Sequence, residues 1–168
     1  QVTKNLAPHP RLLWPAGAEK DMKARIESDP IAKAVYDDIA GQSELLLTVE
    51  PIEHVKIGKR LLDKSRKCVK RVLFLSFMYR MTGDKKYFDR AEKEMLTAAD
   101  FADWNPSHYL DTGEMTAALA IGYDWLYAEL SPESRAKIRT AIVEKGFNPS
   151  FKEDKNHWWV QAPMNWNQ

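Results

Sequence analysis

The residue types with most capacity for chemistry gather in two stretches, WNPSHYLDTGE at 104–114 and NHWWVQAPMNWNQ at 156–168. Asp111 and Glu114 stand three apart, so on a helix they share one face. Two acids across a glycosidic bond are what glycoside hydrolysis requires. Acids at a helix N-terminus also serve simply as partners of the helix dipole. Ser107, His108 and Asp111 are the residue types of an acyl-transfer triad, but residues so close in sequence rarely converge in that way. The strained G-x-S-x-G turn that presents a serine nucleophile is missing as well.

The second stretch holds three of the six tryptophans, interleaved with Asn156, Gln161, Asn165, Asn167 and Gln168. Indole and phenol rings stack on the apolar faces of sugar rings, while amides and imidazoles satisfy the hydroxyls. Trp104, His108, Tyr109, Trp158, Trp159, Gln161 and Trp166 are therefore candidates to line a polysaccharide groove. Paired tryptophans in a long loop also plug the ends of helical bundles, and Trp125, on an alanine-rich helix, reads as core. His9 and His54 have no chemical company in the sequence and read as structural or exposed.

Composition narrows the classes. Lys plus Arg is 25 and Asp plus Glu is 24, a net charge of +1. A nucleic-acid partner calls for an excess of cations to displace condensed counterions, so none is expected. No run approaches the roughly 20 apolar residues of a membrane helix, and VLFLSFMY at 72–79 reads as a buried helix, so no membrane partner is expected either. Cys68 is alone, which rules out an intramolecular disulfide and a multi-cysteine metal site; no cofactor and no metal are implied. The first residue is Gln rather than Met, which suits a mature exported protein or a trimmed chain.

The elements that must position these residues read as helices throughout, with strand signals almost absent. The pattern predicts a helix at 18–28 and one at 31–47 with Ile31, Val35 and Ile39 on one face. A long helix follows at 56–81, with Leu61, Val69, Leu73 and Phe77 inward. Others are expected at 86–101, 111–130 and 132–145. Gly83 and Asp84 form a turn and a cap, Ser131 and Pro132 a helix start, Gly146 and Pro149 a helix stop. Gly113 and Gly122 suggest close helix packing. Leu73, Phe77, Leu119, Trp125, Leu126 and Ile138 are expected in the core. Consecutive antiparallel pairs of about 40–50 residues fit an α/α toroid better than a 34-residue solenoid repeat. Long aromatic loops alternating with terse ones would then make one end of the barrel a binding face.

Five segments in order, HPRLLW (9–14), MTGDKKYFDRAEKEM (81–95), WNPSHYLDTGEM (104–115), AIGYDWLY (120–127) and NWNQ (165–168), resemble the heparinase II/III-like polysaccharide lyases. The resemblance covers nearly all of 1–168 and implies an all-α fold: one N-terminal segment of an incomplete (α/α) toroid of antiparallel hairpins. It implies an acidic, uronate-containing polysaccharide as partner, and cleavage by β-elimination. In that reaction a base takes the C5 proton while the C4 oxygen leaves, which needs the neighbouring carboxylate neutralised. Asn167 occupies the place of the neutralising amide, with Asn165 as its alternate; Gln168 stands where many relatives carry His. The rest of the parent polypeptide would supply the catalytic base, further toroid helices and β-sandwich domains, so this portion alone is expected to be inactive. With the Gln1 start read as a removed signal peptide, a periplasmic or secreted location is expected. A non-catalytic carbohydrate-binding scaffold and a toroid glycoside hydrolase are the alternatives.

Overall fold

A computed structural model describes residues 6–151, and these are helical with no strand; the single sheet-like pairing is an isolated bridge between Ile57 and Arg60. The helices are α1 (Glu19–Ser28), α2 (Pro30–Thr48), α3 (Leu62–Thr82), α4 (Lys85–Asp100), α5 (Tyr109–Trp125) and α6 (Pro132–Ala141). A 3₁₀ turn, Pro106–His108, leads into α5, and a π-helical stretch, Ile142–Phe147, joins α6 to the short α7 (Asn148–Phe151).

Local chemistry explains most boundaries. Asp29 accepts from the amides of Ile31 and Ala32 while Pro30 occupies the first turn of α2, where a missing N–H costs nothing. Gly83 ends α3 at φ 73°, a conformation glycine adopts without strain, and Asp84 then caps α4 through the Lys86 amide. Ser131 caps α6 by accepting from the Ser134 amide, with Pro132 behind it. These three starts agree with the sequence reading.

Other expectations need correction. The helix expected from residue 56 begins only at Leu62, because Ile57–Arg60 folds into a reverse turn with Gly58 at φ 61°. Gly146 does not stop the helix after α6; the chain passes through it in the π-helical stretch. A Cβ there would stand 2.5 Å from Thr116 Oγ1, so the glycine serves the packing of this stretch on α5. Gly122 likewise lets α5 lie close, with a notional Cβ 2.5 Å from both Met95 Sδ and Val72 Cγ1, whereas Gly113 faces open space.

The core gathers around α3, which packs on α2, α4 and α5. Its buried face carries Ser65, Cys68, Val72, Leu75, Ser76, Met78 and Met81, so Leu73 and Phe77 are only half-buried at its flanks. Small polar residues hide where helices approach closely, which shifts the true face away from the bulkiest side chains. Leu119, Leu126 and Ile138 are fully buried as expected. Trp125 is half-buried instead, its Nε1 donating to Leu12 O. On α2, Ile31 and Val35 point outward, and the core side is formed by Tyr36, Ile39, Ala40, Leu46 and Leu47 around the buried Ser43.

Candidate functional site

The loop between α4 and α5 is held from within. Trp104 is fully buried, its Nε1 donating to Ala98 O at the end of α4, and its own carbonyl accepts from Thr112 Oγ1 at 2.7 Å. The ring fills the end of the bundle, so Trp104 is a plug rather than a sugar platform. Asn105 adopts the left-handed conformation at φ 58°, which short polar side chains tolerate. Its Nδ2 donates to Lys59 O at 2.9 Å and to Asp111 Oδ2 at 2.7 Å, tying the 57–60 turn to the start of α5.

Asp111 is the hub. Its carboxylate is fully buried and accepts from the Leu61 amide, from Asn105 Nδ2 and from His108 Nδ1, each at 2.7 Å. A carboxylate facing a ring nitrogen only accepts, so Nδ1 carries a proton directed at Asp111. His108 is thus a ring held in one orientation, with 8% of the residue exposed. Ser107 Oγ donates to Asn105 Oδ1. Two of the three triad-type residues do meet, but as a positioned histidine rather than an activated serine. Glu114 accepts from Ser65 Oγ at 2.7 Å and lies 3.4 Å from Arg66 Nε. With Asp111 saturated and Glu114 bound to α3, the two acids do not form a pair across a shared cleft.

Tyr109 closes the other side of the loop, its hydroxyl donating to Gly146 O at 2.8 Å in the π-helical stretch. The neighbouring Lys145 Nζ donates to the carbonyls of Ala99 and Phe101, satisfying the C-terminus of α4 with a positive charge where the dipole is negative. Burial pushes this ammonium below its ordinary pKa. The 99–111 loop and the 145–147 stretch therefore occupy one end of the bundle. Trp158, Trp159, Gln161, Asn165, Trp166 and Asn167 lie outside the described residues.

A second constellation went unread in the sequence. His9 has ample company: its Nδ1 lies 2.5 Å from Asp124 Oδ1, and its ring stacks on Tyr127 with centroids 4.1 Å apart. Asp124 Oδ2 accepts from the Arg11 and Leu12 amides, both at 2.8 Å, and Arg11 Nη2 reaches His9 Nε2 at 3.0 Å. Asp124 accepts and guanidinium donates, so His9 has one defined tautomer. HPRLLW and YDWLY, distant in sequence, form one clasp. Its lower edge is Arg80, whose guanidinium lies 3.8 Å from the Trp14 ring centroid and bonds Trp14 O and Glu19 Oε1. His54, at 3.4 Å from Asp103 and tilted on Phe101, is structural.

Among the described residues no group of His, Cys, Asp and Glu has the arrangement of a metal site, and no helix is long and apolar enough to cross a membrane. Compared with protein-family models and with characterised proteins, the chain finds no match.

Proposed function

We propose that this chain is the substrate-binding N-terminal portion of an α/α toroid belonging to a heparinase II/III-like polysaccharide lyase, acting on a uronate polymer by β-elimination in the periplasm or outside the cell. The observation that carries the reading is the junction at one end of the bundle. His108, oriented by Asp111, and Tyr109, tied to Gly146, sit side by side where the loop after α4 meets the Ile142–Phe147 stretch. Polar rings of fixed orientation at a loop-rich end of a helical barrel suit recognition of hydroxyls and carboxylates. Asn167, with Asn165 as alternate, is assigned to neutralise the uronate carboxylate, and Trp158, Trp159, Gln161 and Trp166 to line the groove.

One observation favours the non-catalytic carbohydrate-binding scaffold as a second reading: Trp104 is wholly internal and His108 nearly so, so neither ring lies open at the surface of this loop. The two are separated by incubating the intact parent enzyme with uronate polymers and following absorbance of the unsaturated product. Turnover that collapses in Asn167→Ala, with polymer binding retained, supports the lyase, because the amide acts on charge that develops in the transition state. Binding without any product supports the scaffold. Undiminished turnover in Asn167→Ala rejects that residue's role and moves the assignment to Asn165.

A further inference from the structure

The cations of this chain are unevenly placed. Between 56 and 71 the sequence carries eight Lys and Arg residues and one acid, Asp63, in a protein of net charge +1. Arg71 turns inward to the buried Glu94 at 2.7 Å, and Lys56 lies 3.9 Å from Asp103. Lys59, Arg60, Lys64, Arg66, Lys67 and Lys70 stay at the surface of the 57–60 turn and the first turns of α3. On the helix, Asp63, Arg66, Lys67 and Lys70 fall within roughly 100° of arc, so they share one face.

Few carboxylates answer them. Asp63 is shared by Lys67 at 2.9 Å and Lys64 at 3.5 Å, and Glu114 faces Arg66 at 3.4 Å. The hydrogen bond from Lys67 holds the Asp63 carboxyl below its ordinary range. Lys59, Arg60 and Lys70 have no acidic partner within 4.0 Å among the described residues. Beside them α5 exposes Gly113 and Ala117, which add no charge. The positive end of the 21-residue α3 dipole adds to the same field.

The backbone beneath this face is fixed. Ile57 pairs with Arg60 across the turn, Asn105 Nδ2 donates to Lys59 O at 2.9 Å, and the Leu61 amide donates to Asp111 Oδ2 at 2.7 Å. These bonds set the face at the end of the bundle that carries His108 and Tyr109.

The chemistry around the cations selects among polyanions. A duplex groove would have to admit α3, which is packed on α2, α4 and α5. Single-stranded nucleic acid is held on aromatic platforms, and no residue from 56 to 71 is aromatic. An anionic bilayer needs an apolar face to bury, and the large apolar side chains exposed here are Val55 and Ile57. A linear acidic polysaccharide asks only for cations spaced along an open edge.

We propose that the 57–60 turn and the outer face of α3 over 63–70 form a docking site for an acidic polysaccharide, distinct from the residues assigned above. The site itself stands on its charge; naming the polyanion a polysaccharide rests on the uronate-polymer reading.

Fluorescence anisotropy with the full chain should show binding of labelled heparin and labelled polygalacturonate that weakens as salt rises, and no binding of dextran. Lys59→Gln, Arg60→Gln and Lys70→Gln together break no ion pair and should weaken both about ten-fold or more, with a flatter salt dependence. Lys70→Gln alone, at a solvent-facing helix position, should weaken both about three-fold and reads the same effect if the triple change disturbs the turn. Removing the same charge at Lys20, Lys23 and Lys93, exposed on α1 and α4, should leave the affinity unchanged. Equal losses in the two triple variants overturn the proposal, as does an absence of binding or binding indifferent to salt. Tighter binding of duplex RNA or of phosphatidylserine vesicles than of either polysaccharide overturns the choice of partner. Failure here leaves the Asn167 experiment untouched, whereas absent turnover with this binding intact rejects the lyase and keeps the site.

Discussion

Asp124 and Asp111 are both buried carboxylates saturated by protein donors, yet they do different work. Asp124 receives two backbone amides and a histidine, all from the N-terminal segment, so its charge holds a strand of chain in place. Hydrogen bonds to a charged acceptor contribute about 1.5–3 kcal/mol each in buried settings. Asp124→Ala should therefore lower stability to urea by roughly that amount or more, and Asp124→Asn by less. Asp111 spends two donors on structure and the third on His108. In Asp111→Asn the amide oxygen can replace Oδ2 towards Leu61 and Asn105, while the amide nitrogen turns to the imidazole. The helical circular dichroism should survive, and ¹⁵N shifts should show the His108 proton moved from Nδ1 to Nε2, as such replacements do elsewhere. A ring that keeps its Nδ1 proton would refute this account of the loop.

Helix α1 is a weakly anchored element. None of its residues is buried, and its main tie is Glu19 to Arg80. Burial alone would raise the Glu19 carboxyl, but hydrogen bonds and charge from Arg80 overcome that and hold it below its ordinary 4.5. A folded-state pKa below the unfolded one gives stability that is present above 4.5 and lost as pH falls through the lowered value. The protection factors of α1 amides, taken relative to intrinsic exchange at each pH, should fall in that window, and Glu19→Gln should remove this fall. The α3–α5 contact behaves differently. Gly122→Ala places a methyl against Met95 and Val72 and should cost about 1–3 kcal/mol in urea melting, the usual range for overpacking. Two caps were readable because each depends on a few adjacent residues: Gly83 with Asp84, and Ser131 with Pro132. The inner face of α3 was not, since Ser65 and Ser76 are buried by what α5 leaves room for, and periodicity alone weights Leu73 and Phe77.

Across the whole molecule, all-helical character was legible from the 3.6-residue period, whereas contacts between distant segments were not. Nothing near His9 in sequence announces Asp124, and nothing near Trp104 announces that its ring turns inward to Ala98. The candidate site divides along the same line: the helix start carrying His108 and Asp111 was foreseeable, while the hub formed with Leu61 and Asn105 depends on a turn hidden in the 56–61 pattern. Core depth should decide stability throughout. Leu119→Ala should cost about 2–5 kcal/mol and the half-buried Phe77→Ala distinctly less, as read from denaturant midpoints.

The clasp of the N-terminal segment on Asp124 also sets a timetable for synthesis. Leu12 and Asp124 are 112 positions apart, so at the usual 5–20 residues per second the segment waits roughly 6–22 s for its anchor to be made. During that interval Trp14 lacks Trp125, and Arg80 is the earlier partner to emerge. The segment is thus first gathered loosely by α3 and locked only when the end of α5 arrives. A chain interrupted before Asp124 would leave Trp14, buried in the finished fold, short of the contacts that cover it.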